Sequence, residues 1–189
     1  MWNGGLRWWG LVPALAGSVL VAVQRPPDVL ISGDGRHVAV TGSDGTLVVL
    51  REGRSDYARS NLLEIAGRDG DVRPMEQWPG AQCNRDFCSL VVARDGVRTS
   101  LLISRGRDLV DWQELIYACA QSDIVIADRR MPRGCRPRWI KADRTVLSQT
   151  GGMAIDLQRS KVETVAQNQG YHGWFRWSDK ERSAPWLLR

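Results

Sequence analysis

The stretch Asp28-Val29-Leu30-Ile31-Ser32-Gly33-Asp34-Gly35-Arg36-His37-Val38-Ala39-Val40-Thr41-Gly42-Ser43-Asp44-Gly45-Thr46-Leu47-Val48-Val49-Leu50 decides the fold class. Three apolar segments, Val29 to Ile31, Val38 to Val40 and Leu47 to Leu50, are separated by Gly33-Asp34-Gly35 and Ser43-Asp44-Gly45. Apolar runs this short, mostly β-branched and bounded by Gly-Asp clusters, read as strands joined by tight turns: a β-meander. Asp34 and Asp44 are turn formers for the same reason as the glycines beside them.

Downstream the pattern alternates between strand and helix. Ser55 opens a helix in which Ala58, Leu62, Ile65 and Ala66 share a face and Gly67 stands at the C-terminal cap. After a polar loop from Arg68 to Gly80, Ser89 to Ala93 and Val97 to Ser104 form a hairpin through Arg94-Asp95-Gly96. Asp111, three residues before Glu114, is a capping-box pattern opening a helix with Leu115, Ile116 and Cys119 on one side. Ile124 to Ala127 reads as a buried strand. Asp143 caps a short helix that ends before Gly151-Gly152, and Met153 to Leu157 with Val162 to Val165 make a last pair of strands. The class is α/β. The segment from Gln167 to Arg189, with Trp174, Trp177 and Trp186 among polar residues, is expected to be poorly ordered.

Upstream, Trp8 to Val23 carries no charge over sixteen residues, a helix of roughly 24 Å against a hydrocarbon core of ~30 Å. Trp8 and Trp9 suit one membrane interface, while Gln24, Arg25, Pro26 and Pro27 stop the segment at the other. One N-terminal transmembrane anchor within residues 1–27 is expected, with Arg7 on the cytoplasmic side and the rest of the chain outside. A signal peptide is the rival, although no small-x-small cleavage site follows the apolar run. A buried helix is the other, and Pro13 fits either it or a kinked span.

The 189 residues, 43% hydrophobic and 25% charged, suit one domain with its own core. Lys and Arg number 26 against 21 Asp and Glu, so a polyanion partner is permitted without being required. The surplus concentrates in Asp128 to Arg144, which holds Arg129, Arg130, Arg133, Arg136, Arg138, Lys141 and Arg144 between Pro132 and Pro137. Guanidinium forks with Trp139 among them combine phosphate contacts with an aromatic face for a base. The bland account is a solvated loop whose arginines pair with nearby carboxylates. Asp123 and Asp128 bracket the strand before it, where carboxylates can reach a site rim or simply pair with arginine.

With only two histidines, His37 and His172, a His-rich metal centre is excluded. Four cysteines occur as Cys83, Cys88, Cys119 and Cys135. Sixteen residues separate the last two, which favours disulfides over a tetrathiolate zinc site. Three pairings exist; locality favours Cys83 with Cys88 and Cys119 with Cys135, and buried free thiols remain open.

Pro27 to Val40 directly after a Trp-flanked apolar helix resembles the start of the extramembrane C-terminal region of ComEC-type DNA-uptake channels. Ala118-Cys119, Asp123-Ile124-Val125-Ile126-Ala127-Asp128-Arg129-Arg130-Met131-Pro132, Cys135-Arg136-Pro137-Arg138-Trp139 and Thr150-Gly151-Gly152-Met153-Ala154-Ile155-Asp156 resemble the same region in proteobacterial members. The resemblance covers residues 8 to 165. It implies a reduced αβ/βα sandwich of the metallo-β-lactamase type over residues 28–166, holding only the last helix and last domain of such a channel.

Metallo-hydrolases of that fold carry an H-x-H-x-D-H signature, and this chain has none. Where active relatives place a His-containing segment after a late strand, this chain has Asp128-Arg129-Arg130. The resemblance therefore implies a catalytically silent domain without cofactor on the periplasmic side of the bacterial inner membrane. It would contact single-stranded DNA weakly and without sequence preference, and act beside a separately encoded competence membrane domain. Two alternatives stand. One is residual metal-dependent nuclease or phosphoesterase activity through Asp34, Asp123 and Asp128 with a hard cation. The other is a structural periplasmic scaffold.

Overall fold

A computed structural model describes residues 10–23, 26–42, 44–50, 63–64, 66, 72–106, 108 and 110–170. Two sheets face each other. The first has six strands in the order β11-β10-β1-β2-β3-β4, drawn from Val29–Ile31 (β1), Val38–Thr41 (β2), Leu47–Val49 (β3), Val72–Pro74 (β4), Met153–Asp156 (β10) and Lys161–Thr164 (β11). The second has five in the order β5-β6-β7-β8-β9, from Gln82–Cys83 (β5), Phe87–Arg94 (β6), Val97–Ser104 (β7), Ile124–Ile126 (β8) and Ile140–Ala142 (β9). The α-helices bounded within the described residues are Leu11–Val23 (α1), Trp112–Gln121 (α2), Arg144–Thr150 (α3) and Val165–Asn168 (α4).

The meander forms as expected, with Val29 opposite Val40 and Val40 opposite Val48. β6 and β7 close over Asp95 and Gly96, at φ 45° and 85°, a pair of positive values that matches the twist of a two-residue hairpin. Asp111 caps α2 by accepting from the N–H groups of Gln113 and Glu114, and Asp143 caps α3 through those of Thr145 and Val146. β7, β8 and β9 are mutually parallel, so their carboxyl ends share one edge.

Apolar faces explain the layering. Val29, Ile31, Val38 and Val40 of the first sheet meet Leu90, Val92, Leu101, Ile103, Ile124 and Ile126 of the second in the central core. Outside the second sheet, Phe87, Leu102, Val125 and Ala127 pack under Leu115 and Cys119 of α2 with Met131 and Cys135 of the following loop. Outside the first sheet, Leu30, Ala39, Leu47 and Val49 pack with Ala66 and Leu63. The helix expected from Ser55 falls mainly outside the described residues, of which 63 and 64 are helical.

The N-terminal expectation changes. α1 covers thirteen residues, about 20 Å at 1.5 Å per residue, and among the described residues no helix is long and apolar enough to cross a membrane. Trp8 and Trp9 lie outside the described residues, as do residues 171–189, on which most of the poorly ordered tail was expected. α1 is not a buried core helix either: Val12, Leu15 and Leu20 are each about two-thirds exposed.

Candidate functional site

The carboxyl edge of β7 to β9 gathers the polar groups. Ser104 ends β7, Asp128 follows β8 and Asp143 follows β9. The β1–β2 turn is pressed against the same edge, because a Cβ on Gly35 would lie 2.8 Å from the Ala127 carbonyl oxygen and 2.9 Å from Leu147 Cδ1. Open α/β sheets place ligand sites at such edges, since the loops leaving the strands converge there.

Asp128 sits at the centre with its side chain only 3% exposed. Ser104 Oγ donates to its Oδ1 at 3.2 Å, and Arg36 Nε of the turn stands 3.9 Å from its Oδ2. One arginine beside it therefore comes from the opposite sheet. Asp34 accepts from the Ser32 hydroxyl and, at 3.0 Å, from the Arg36 N–H. Burial pushes its pKa up, but those hydrogen bonds together with the charges of His37 and Arg36 outweigh it and hold the carboxyl below the usual range. His37 is half-buried between turn and β2, and its Nδ1 has no hydrogen-bond partner among the described residues.

Asp123 is elsewhere. It precedes β8, whereas Asp128 follows it, and the four extended residues between them set the two about 16 Å apart along the chain. Its Oδ2 accepts from the Ser100 N–H and hydroxyl, each at 2.7 Å, and its Oδ1 from Arg138 Nη1 at 3.0 Å. Asp34, Asp123 and Asp128 thus cannot share one cation. Among the described residues no three His, Cys, Asp or Glu side chains are grouped to hold a metal ion. His172 lies outside them.

The loop from Asp128 to Arg144 is held at several points. Both disulfides join the cysteines that locality favours, Cys83 with Cys88 and Cys119 with Cys135, the second tying α2 to this loop. Asp143 Oδ2 accepts from the Met131 N–H at 3.2 Å, and the Arg129 carbonyl accepts from the Arg144 N–H.

The seven residues expected to contact DNA divide into two groups. Arg129 turns inward, with Nη1 donating to the Asp108 carbonyl at 2.7 Å and its guanidinium 5.2 Å from the centre of the Phe87 ring. Arg138 is engaged by Asp123 and by the Gln121 carbonyl. Trp139 is partly buried and packs against the central core, which leaves less of its ring open than a free stacking face would have. Lys141 is half-buried within β9. Arg130, Arg133 and Arg136 are exposed, and no carboxylate among the described residues pairs with them.

No family model, curated protein or solved structure matches this chain.

Three features escaped the sequence reading. Arg36 and Ser104 were assigned no role, because nothing local places the β1–β2 turn over β8. Trp112 and Tyr117 of α2 are 59% and 69% exposed. The i,i+3 spacing of Trp112 to Leu115 suggests burial, but as the first helical residue Trp112 lies past the packed stretch. A cavity of about 370 Å³ beside α2, bounded by Phe87, Leu102, Leu115 and Glu114, was equally invisible.

Proposed function

We propose that this chain is a membrane-tethered, catalytically silent terminal domain of the ComEC-type DNA-uptake family, with a reduced metallo-β-lactamase-like sandwich that assists passage of single-stranded DNA. Two facing sheets with helical segments on their outer faces suit that fold. α1, apolar and exposed around its circumference, suits a hydrophobic tether; a full span would need more length than its thirteen residues supply. Arg36 beside Asp128 puts a cation next to the carboxylate of Asp128-Arg129-Arg130, the segment that the resemblance sets against the His-containing one of active relatives, and this supports a silent domain. On this reading the domain lies on the periplasmic side of the inner membrane beside a competence membrane domain, where disulfides persist.

The observation that carries the DNA contact is the set Arg130, Arg133 and Arg136: exposed, without carboxylate partners among the described residues, on a loop fixed by a disulfide and by Asp143. Guanidinium groups carried on a fixed backbone meet phosphates with less ordering cost than those on a mobile one. Binding of a labelled single strand, followed by anisotropy across a salt series, tests it. Each neutralised phosphate contributes about −0.7 to the slope of log K against log salt, so replacing all three arginines by alanine should flatten the slope by roughly two units. Unchanged affinity and slope would return the domain to a scaffold, the reading that the inward engagement of Arg129 and Arg138 favours for those two residues.

A further inference from the structure

The arginine loop runs beside α2 in fixed register. Arg129 donates to the Asp108 carbonyl just before the helix. Gly134 lies so close to Ile116 that a Cβ there would meet Ile116 Cδ1 at 2.7 Å. Cys135 is bonded to Cys119, and the Arg138 N–H donates to the Ser122 carbonyl at 3.0 Å. Loop and helix therefore advance in step in the same direction. Residues 130–133 fall between the first two contacts, an interval that on the helix side runs from Val110 to Leu115 and holds Trp112 with the exposed Asp111 and Glu114. Trp112 is one turn before Ile116 and shares its flank. Met131 is drawn under the helix to join Leu115, while Arg130 and Arg133 on either side of it stay exposed.

We propose that Trp112 is the base-stacking element of a single-strand binding surface in which Arg130 and Arg133 contact the phosphates. This rests on reading the arginine loop as a polynucleotide contact. An exposed indole on the helix flank that faces this loop, with guanidinium groups that have no carboxylate partner among the described residues, is complementary to a ligand that offers both a π-face and regularly spaced anions. A single strand offers both; in a duplex the bases are already stacked on each other.

The test uses the full-length chain and two labelled probes, a twenty-nucleotide oligothymidylate and an abasic phosphodiester strand of equal length and charge. Trp112→Ala should weaken oligothymidylate about 5- to 150-fold without changing its salt slope. It should leave the abasic strand bound as before, and Trp112→Phe should restore most of the loss. Arg130→Ala with Arg133→Ala should weaken both strands. In the unaltered protein, near-ultraviolet crosslinking of a 5-bromodeoxyuridine strand should yield an adduct on Trp112, a result independent of how any variant folds. If the arginine pair matters while Trp112→Ala binds both strands like the parent, or the adduct maps elsewhere, the stacking role is overturned and the arginine contact stands. If neither probe binds the parent chain, both readings fall.

Discussion

Arg94, the last residue of β6, crosses from one sheet to the other to meet Asp28 at the start of β1, Nε donating to Oδ1 at 2.6 Å with both side chains 14% exposed. Arg94 also donates to the Thr41 carbonyl, and Asp28 Oδ2 accepts from the Leu157 N–H at 2.8 Å. One ion pair thus joins β1, β2, β6 and the end of β10. Arg94→Met leaves the carboxylate without its cation in a largely dry site, and stability should fall by about 3 kcal/mol in urea titration. Adding Asp28→Asn should cost less than the sum of the two single changes.

Asp123 makes the fold sensitive to acid. Its partial burial pushes the pKa up, but the Ser100 N–H and hydroxyl and the Arg138 guanidinium outweigh this and hold the carboxyl below the ordinary carboxylate value. A depressed folded-state pKa stabilises above the unfolded-state pKa, and that contribution is lost as pH falls through the folded value. Asp123→Asn should therefore lose about 1 to 3 kcal/mol at neutral pH. Its deficit should shrink as pH drops below about 4. Melting temperatures measured from pH 7 to 2 for both proteins check the convergence.

Gly35 couples the β1–β2 turn to β8. At φ 68°, and with the Ala127 carbonyl oxygen 2.8 Å from where a Cβ would stand, no other residue fits without moving the turn. Gly35→Ala should cost about 1 to 3 kcal/mol from backbone strain alone. Hydrogen exchange at Arg36 and His37 should rise with it, since the turn must lift from the edge that holds Asp128. A variant as stable as the parent would show that the turn is free to relax.

The disulfide between Cys119 and Cys135 closes a loop of sixteen residues, worth about 3 kcal/mol in the chain-entropy account. Replacing both cysteines by serine should lower the urea midpoint accordingly. Non-reducing peptide maps of the parent should recover Cys119 linked to Cys135 and Cys83 linked to Cys88.

Local chemistry made much of this architecture legible. Gly-Asp turns marked β1 to β3, Asp95-Gly96 marked the long hairpin, and Asp111 and Asp143 marked two helix starts, because each signal acts within a few residues. β4, β5 and β9 were missed, being two or three residues long with no alternation to reveal them. β9 was read as part of an irregular basic loop, since Arg138, Lys141 and two prolines mask the Ile140 and Ala142 that pack inward. The site suffered for the same reason. A guanidinium is identical in sequence whether it faces solvent, as at Arg130, or lies over Phe87, as at Arg129. Only the pairing of strands distant in the chain decides between them.

Val29 pairs with Ile155, so the neighbouring strands β1 and β10 of the first sheet stand 126 residues apart in the chain. During synthesis at ~5–20 residues per second, β1 waits on the order of ten seconds before its neighbour β10 exists. Until then the nascent sheet has an open apolar edge beside Val29, Leu30 and Ile31, with β2 on one side only. Completion of the first sheet thus waits on the segment from Met153 onward. A chain released before Met153 would carry every arginine of the basic loop and still present a sticky, half-built sheet.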